Sequence, residues 1–272
     1  MAAQPKQRTV AGALADALEP FKPAGRLVVA GRTDAGVHAT AQVAHVDLDA
    51  EALERLASGL EPGADVPALV RALNGRLDPA VRVWRCRVMA ERFDARRDAF
   101  ARRYRYLLRS GAANPLERGF CWQIEEPLDL AAMRLAAPVL LGEHDFAAFC
   151  RAPADRPDAS LVRRVIEVEV LSGARGAFAI EIEANAFCHQ MVRSIVGMLV
   201  AIGTGRLEPE TLAAQLRSRS RTGAPTLAPA HGLSLIAVRY PDAAGGTWAL
   251  EAGEDEEPGP SSGPFATRSV LL

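Results

Sequence analysis

Apolar positions along this chain recur with two different periods, and the changes of period mark out its elements. Spacings of four residues over Val10, Leu14 and Leu18 predict a helix, with Thr9 placed to cap it. Residues 26–30 form a short apolar run and residues 42–48 alternate with period two, which predicts two strands joined by a glycine-bounded loop. A helix is expected over 66–77 and a strand over 81–89. The second half opens with a strand at 103–108 and continues with a helix over 130–141, for which Asp129 is a plausible cap. Residues 165–171 and 177–184 read as a hairpin closed through Ser172-Gly173-Ala174-Arg175-Gly176. The apolar stretch 187–202 reads as a helix ended by Gly203, and 233–240 as a final strand.

The second half therefore runs β-α-β-β-α-β, the split pattern of a ferredoxin-like unit, and the first half repeats it without an opening strand. The expected fold is α+β: two ferredoxin-like (RRM-like) halves with mixed or antiparallel sheets, joined across a central active-site cleft. The halves cover 1–100 and 101–240, and 241–272 is an acidic tail expected to be disordered. In a ferredoxin-like sheet the strand order is 4-1-3-2, so a missing first strand leaves its two neighbours with unpaired edges. Either Met1 lies inside the true reading frame or another segment fills the gap; Arg268-Ser269-Val270-Leu271-Leu272 is a candidate.

Composition narrows the class. No run approaches the roughly 20 apolar residues that span a bilayer, and the first eight residues lack the apolar core of a secretory signal. The four cysteines are scattered without a CxxC pair, which predicts reduced thiols in a cytoplasmic protein, with neither a disulfide frame nor a zinc site. The formal net charge of −1 conceals an asymmetry: residues 82–118 carry eleven arginines against four acids, whereas 241–272 carry six acids against one arginine. Codon bias accounts for arginine replacing lysine throughout, but not for the clustering. A basic stripe facing RNA is the expectation.

The candidate chemistry centres on Gly31-Arg32-Thr33-Asp34-Ala35-Gly36-Val37-His38-Ala39. A single carboxylate, Asp34, stands between two glycines on a strand-to-strand loop beside the fixed cation of Arg32. Glycines there allow a tight backbone and close approach of a ligand. Such an Asp suits a nucleophile or substrate anchor, and it equally suits an Asx turn capped by its own side chain. No second carboxylate lies nearby in sequence, so a small-molecule hydrolase built on an acid pair or triad has little to stand on.

With these segments in place, the chain resembles the tRNA pseudouridine synthase A family. The Asp34 loop is similar to that family's signature, and further motifs follow in order across roughly residues 4 to 240. Phe93-Asp94-Ala95-Arg96 with Arg102-Arg103-Tyr104-Arg105-Tyr106 resembles its FHAR…RxYxY region. Leu141-Gly142-Glu143-His144-Asp145-Phe146 resembles LxGxHDF, and Asn185-Ala186-Phe187 with Met191-Val192-Arg193-Ser194-Ile195-Val196-Gly197 resembles NxF…MVRNIVG. Ala228-Pro229-Ala230-His231-Gly232-Leu233-Ser234-Leu235 resembles APxxGLxL. Two departures stand out: the strand and Gly-Trp pair before Gln4-Pro5 are absent, and Arg97-Asp98 replaces the family's Phe-Ser.

The resemblance implies an isomerase that converts uridine to pseudouridine at positions 38, 39 and 40 of the tRNA anticodon stem-loop, without a cofactor or metal, as a cytoplasmic homodimer. It implies Asp34 as the catalytic carboxylate, paired with Arg193 as the cation that favours its charged form. Tyr104 is implied to pack against the target uracil and take part in proton transfer, Leu233 to form an apolar wall, and Arg32 to contact substrate. Arg32, Arg96, Arg102 and Arg103 become candidates to hold phosphates while the base is flipped out. The competing expectation is an RNA-binding relative whose catalysis is impaired by the lost strand. His189 reads as a helix-end packing residue, and His144-Asp145 as a structural turn.

Overall fold

The computed structural model describes residues 9–112, 114–151, 158–174, 176–223, 226–241, 247–251 and 267–271. In chain order the first elements are α1 (Val10–Leu18), β1 (Val28–Val29), β2 (His38–Ala39), β3 (Ala44–Asp47), α2 (Ala50–Ala57), α3 (Pro67–Asn74) and β4 (Arg87–Ala90). There follow β5 (Ala101–Ser110), β6 (Trp122–Ile124), α4 (Leu130–Ala136), β7 (Gly142–Asp145), β8 (Val162–Ser172) and β9 (Ala177–Ala184). The last are α5 (Met191–Gly203), α6 (Glu210–Ser218), β10 (Leu233–Pro241), β11 (Thr247–Glu251) and β12 (Thr267–Leu271). The protein is α+β with mixed and antiparallel sheets.

The chain divides into two units, one of 1–33, 41–100 and 238–272, the other of 34–40 and 101–237. In the first, the Thr9 hydroxyl accepts from the Gly12 amide at 3.0 Å and opens α1 as the sequence suggests. The buried stripe, however, is Ala11, Leu14, Ala17 and Leu18, while Val10 is 37 % exposed at the first turn. With α3 this stripe covers a core of Val46, Leu48, Leu69, Leu73 and Val88. Strand β4 begins at Arg87, later than the apolar run from 81 implies. The Asn74 side chain both donates to the Val83 carbonyl and accepts from its amide, at 2.8 Å each, and so takes the backbone groups a ladder would need.

The sheet of this unit has the order β1-β3-β12-β4, with β12 antiparallel to both neighbours and Leu271 opposite His45 and Arg87. The C-terminal segment β12 thus lies between β3 and β4 in this sheet. The tail expected to be disordered contains two strands, β11 and β12; residues 242–246, 252–266 and 272 of it lie outside the described residues.

In the second unit the strands are ordered β10-β5-β9-β8-β7, with β6 parallel to β5 and β2 parallel to β10. Helix α4 gives way after Ala136 to a 3-10 turn through Leu140, because Pro138 cannot donate to a carbonyl four residues back. Helix α5 starts at Met191, four residues later than expected, since Gln190 turns into it with a left-handed φ of 67°. A Cβ on Gly203 would stand 2.7 Å from Met133 Sδ, so α5 and α4 approach as closely as a glycine permits.

One expectation is overturned. Cys150 and Cys188 form a disulfide, their Cα atoms 5.7 Å apart, while Cys86 and Cys121 are free and buried. Thirty-eight residues separate the pair, so no local spacing announces it; the fold brings the end of the 146–150 turn beside the loop before α5, where the Arg151 amide also donates to the His189 carbonyl.

Candidate active site

Of the thirteen residues of α5, every one but Arg193 is buried. A cation on such a helix needs partners, because an unpaired charge in an apolar setting is costly. Arg193 has them: Nε donates to the Ala228 carbonyl at 2.7 Å and Nη1 to Asp34 Oδ2 at 3.2 Å. The Ala228 amide donates back to the Arg193 carbonyl at 3.2 Å, so one residue is gripped by both main chain and side chain. Gly197, one turn on, makes this approach possible, since a Cβ there would lie 2.2 Å from the Thr226 oxygen.

The segment after Ala228 explains the APxxGLxL resemblance in physical terms. The Pro229 carbonyl accepts from the Tyr106 hydroxyl at 2.8 Å. Ala230 faces Gly36, whose φ of +82° suits glycine and whose added Cβ would come within 3.3 Å of the Ala230 methyl. Gly232 lies flat against the Tyr106 ring, where a Cβ would meet Cζ at 2.6 Å. Leu233 then opens β10, buried at 5 % exposure.

Asp34 is held on a turn closed by the Val37 amide on its carbonyl, and the loop is anchored by the pairing of β2 with β10. The Asp34 side chain is 28 % exposed. Its two oxygens face side chains from far along the chain, Arg193 on Oδ2 and His189 on Oδ1, each at 3.2 Å. It therefore does not cap its own turn, and the Asx reading of the loop gives way to that of a held carboxylate. His189, taken from the sequence as a packing residue, is instead 45 % exposed and faces Asp34. Its spacing of four from Arg193 was the one available signal, obscured because the helix was expected to begin before it.

Tyr104, on β5 opposite Ile182, is buried and packs edge-on against Phe187 with ring centroids 5.0 Å apart. Burial pushes its phenol up to about 12, Arg102 opposing the rise and the Asp34 carboxylate adding to it. Tyr104 thus keeps its proton at neutral pH and can donate a hydrogen bond. Because the folded value exceeds the ordinary 10.0, the folded protein binds this proton more tightly than the unfolded chain. That contribution, of order 2–3 kcal/mol, is complete below pH 10 and is lost as pH rises towards 12. Between pH 9 and 11 the melting temperature should consequently fall further for wild type than for Tyr104→Phe, a difference that thermal melts across that window would detect.

The four arginine candidates fare differently. Arg32 is exposed, with no hydrogen bond or ion pair to its side chain among the described residues. Arg96 is exposed on a turn fixed by His45 Nδ1 on the Ala95 amide and the Tyr240 hydroxyl on the Ala95 carbonyl. Asp94 caps that turn; burial works against its carboxylate, but the Arg97 and Arg96 amides outweigh it and hold its pKa below the usual value. Arg97 and Asp98, the departure from the family pattern, lie on the outside of this turn. Arg102 is buried and donates to the Asn185 carbonyl at 2.9 Å. Arg103 sits among Glu167, Glu169, Glu181 and Glu183 at 2.5, 2.8, 2.7 and 3.7 Å.

Part of the charge of the basic stretch is met within the protein. Arg85, Arg87, Arg97, Arg103, Arg105 and Arg109 are all paired with carboxylates. His144 and Asp145 form no dyad: the imidazole contacts the Leu141 carbonyl and the carboxylate accepts from the Ala147 amide. Among the described residues no three His, Cys, Asp or Glu side chains gather as a metal site, and no helix is long and apolar enough to cross a membrane.

Comparison with known proteins bears on what this geometry does. A family model described as tRNA pseudouridine synthase matches residues 136–241. A tRNA pseudouridine synthase A of Frankia casuarinae is 48 % identical over 246 residues, covering 88 % of this chain and 84 % of the relative. The protein of the same name from Leifsonia xyli subsp. xyli is 43 % identical over 251 residues, covering 88 % and 86 %. That of Neisseria meningitidis serogroup C is 41 % identical over 241 residues, covering 87 % and 84 %.

Proposed function

The chain belongs to the tRNA pseudouridine synthase A family of isomerases, and from that premise we propose that Asp34, held by Arg193, is the nucleophile that isomerises uridines 38, 39 and 40 of the anticodon stem-loop. The observation that carries this reading is the contact of Arg193 Nη1 with Asp34 Oδ2, made by residues 159 apart in sequence. The reaction breaks the bond from ribose C1′ to uracil N1, turns the base, and joins C1′ to C5. The C5 proton leaves and N1 gains one, so atoms balance without redox chemistry or hydrolysis.

Each remaining residue has a place in that scheme. Tyr104 keeps its hydroxyl protonated and offers a ring edge-on to Phe187, which suits a base stacked against it. Leu233 supplies an apolar wall that helps keep water from the reacting base. Arg32 and Arg96, being exposed, are the phosphate contacts we favour. Arg102 and Arg103 are committed to Asn185 and to the four glutamates, so a phosphate would have to displace those partners. On the family resemblance we also read the protein as a cytoplasmic homodimer of two ferredoxin-like halves, 1–100 and 101–240.

The test is to incubate the protein with tRNA transcripts carrying a single uridine at 38, 39 or 40 and to map pseudouridine by carbodiimide-dependent reverse-transcription stops. Stops at those positions are expected. Binding of tRNA without any stop would favour the catalytically impaired relative, and stops only outside the anticodon arm would sink the assignment of substrate position.

A further inference from the structure

We infer that His189 is a positioning residue for the nucleophile, its Nε2 placed 3.2 Å from Asp34 Oδ1 so that it can donate there while Arg193 holds Oδ2. The inference rests on Asp34 being the nucleophile and goes beyond it by naming a second donor on the same carboxylate.

Three observations lead there. First, the two contacts are equal in length and fall on different oxygens: Nε2 of His189 lies 3.2 Å from Oδ1 and Nη1 of Arg193 lies 3.2 Å from Oδ2. The terminal torsion of an aspartate is broad, so a single donor leaves the plane of the carboxylate free to swing, whereas one donor on each oxygen fixes it. Second, the imidazole is delivered by a constrained segment. The His189 carbonyl accepts from the Arg151 amide at 3.0 Å, Cys188 is bonded to Cys150, and Gln190 turns into α5 with φ 67°. His189 and Arg193 stand four residues apart, so the entry to one helix supplies both donors. Third, packing does not account for the side chain. The His189 side chain is 45 % exposed, it pairs with no aromatic ring among the described residues, and Asp34 is the acid in contact with it.

The physical consequence is one of orientation. A nucleophile acts on the reacting carbon only along a narrow approach, and a displacement of about 1 Å can cost about 100-fold in rate. Substrate binding excludes water and tightens contacts that are long in the free enzyme, so the hold of His189 on Oδ1 matters most in the complex. Glutamine can place its Nε2–H close to where the imidazole Nε2–H lies, and can therefore replace this function. Alanine cannot, and asparagine falls one carbon short.

The experiment measures the rate of pseudouridine formation at saturating tRNA, and the tRNA concentration giving half that rate, for wild type, His189→Ala, His189→Gln, His189→Asn and Asp34→Ala. His189→Ala should lose about 10- to 100-fold in kcat with KM changed by less than about twofold, and His189→Gln should return to within about threefold of wild type. A merely structural side chain would not show that pattern of loss in kcat and rescue by a donor. The inference is overturned if His189→Ala keeps kcat within about twofold of wild type, if its loss lies in KM, or if Gln is as impaired as Ala. Should His189→Ala not fold, Gln near wild type with Asn impaired supports the inference, and equal rates for those two overturn it. Activity in Asp34→Ala would overturn the nucleophile assignment itself, whatever His189 does; an inactive Asp34→Ala beside a normal His189→Ala would remove only the role given to His189.

Discussion

Asp34→Asn is expected to slow pseudouridine formation by roughly 10⁴-fold or more while changing tRNA affinity by less than about threefold. Asparagine has the shape of aspartate and can still accept from Arg193 through its one oxygen, so the loop closed by Val37 and anchored through β2 should survive. What it lacks is the charge that makes a nucleophile. Because the Asp34 side chain is partly open and its loop is held by backbone pairing, the melting temperature should stay close to that of wild type. A steady-state assay, a tRNA-binding titration and a thermal melt on the same preparation separate the three effects.

Arg193→Ala should cost about 10²- to 10³-fold in rate and, unlike the Asp34 change, should also destabilise the fold by about 1–3 kcal/mol. The reason is its second partner. Nε satisfies the Ala228 carbonyl, and that residue leads into Pro229, Ala230 and Gly232, which lie against Tyr106 and Gly36. Removing the guanidinium leaves the carbonyl without its side-chain donor and frees the segment that backs both the Asp34 loop and Leu233. Arg193→Lys should restore little, because one ammonium lacks the planar fork that reaches Ala228 and Asp34 together. Activity and denaturant melts on both variants check the two parts of the expectation.

Much of this arrangement was legible from local pattern. The glycine-bounded Asp34 loop, the largely apolar helix that carries Arg193, the Thr9 and Asp129 caps and the β8–β9 hairpin follow from periodicity, capping and turn chemistry that act over a few residues. The features missed depend on tertiary partners. Asn74 shortens β4 by capturing Val83, and the Cys150–Cys188 bond spans 38 residues. The partners of the arginine cluster were equally hidden, because sequence shows charges without their counter-charges; Arg103 meets Glu167, Glu169 and Glu181 only once β5, β8 and β9 are side by side.

His189 was obscured for a related reason, and β12 was legible only as a candidate. The expected helix start at 187 would have made His189 an ordinary first-turn residue, whereas the left-handed Gln190 puts it on the loop facing Asp34. The C-terminal strand follows an acidic stretch with few apolar residues, and its partners β3 and β4 lie far from it in sequence. The motif Ala228-Pro229-Ala230-His231-Gly232 was recognised as a pattern, but its physical content lies in contacts to Arg193, Tyr106 and Gly36 that no spacing rule contains.

The most direct test of Asp34 as the nucleophile is single-turnover release of tritium from uracil C5 in anticodon-arm-labelled tRNA, with enzyme in excess. Wild type should release the label of each target uridine, and Asp34→Asn should release none while still binding the tRNA. Release by Asp34→Asn at a rate comparable to wild type would contradict the account.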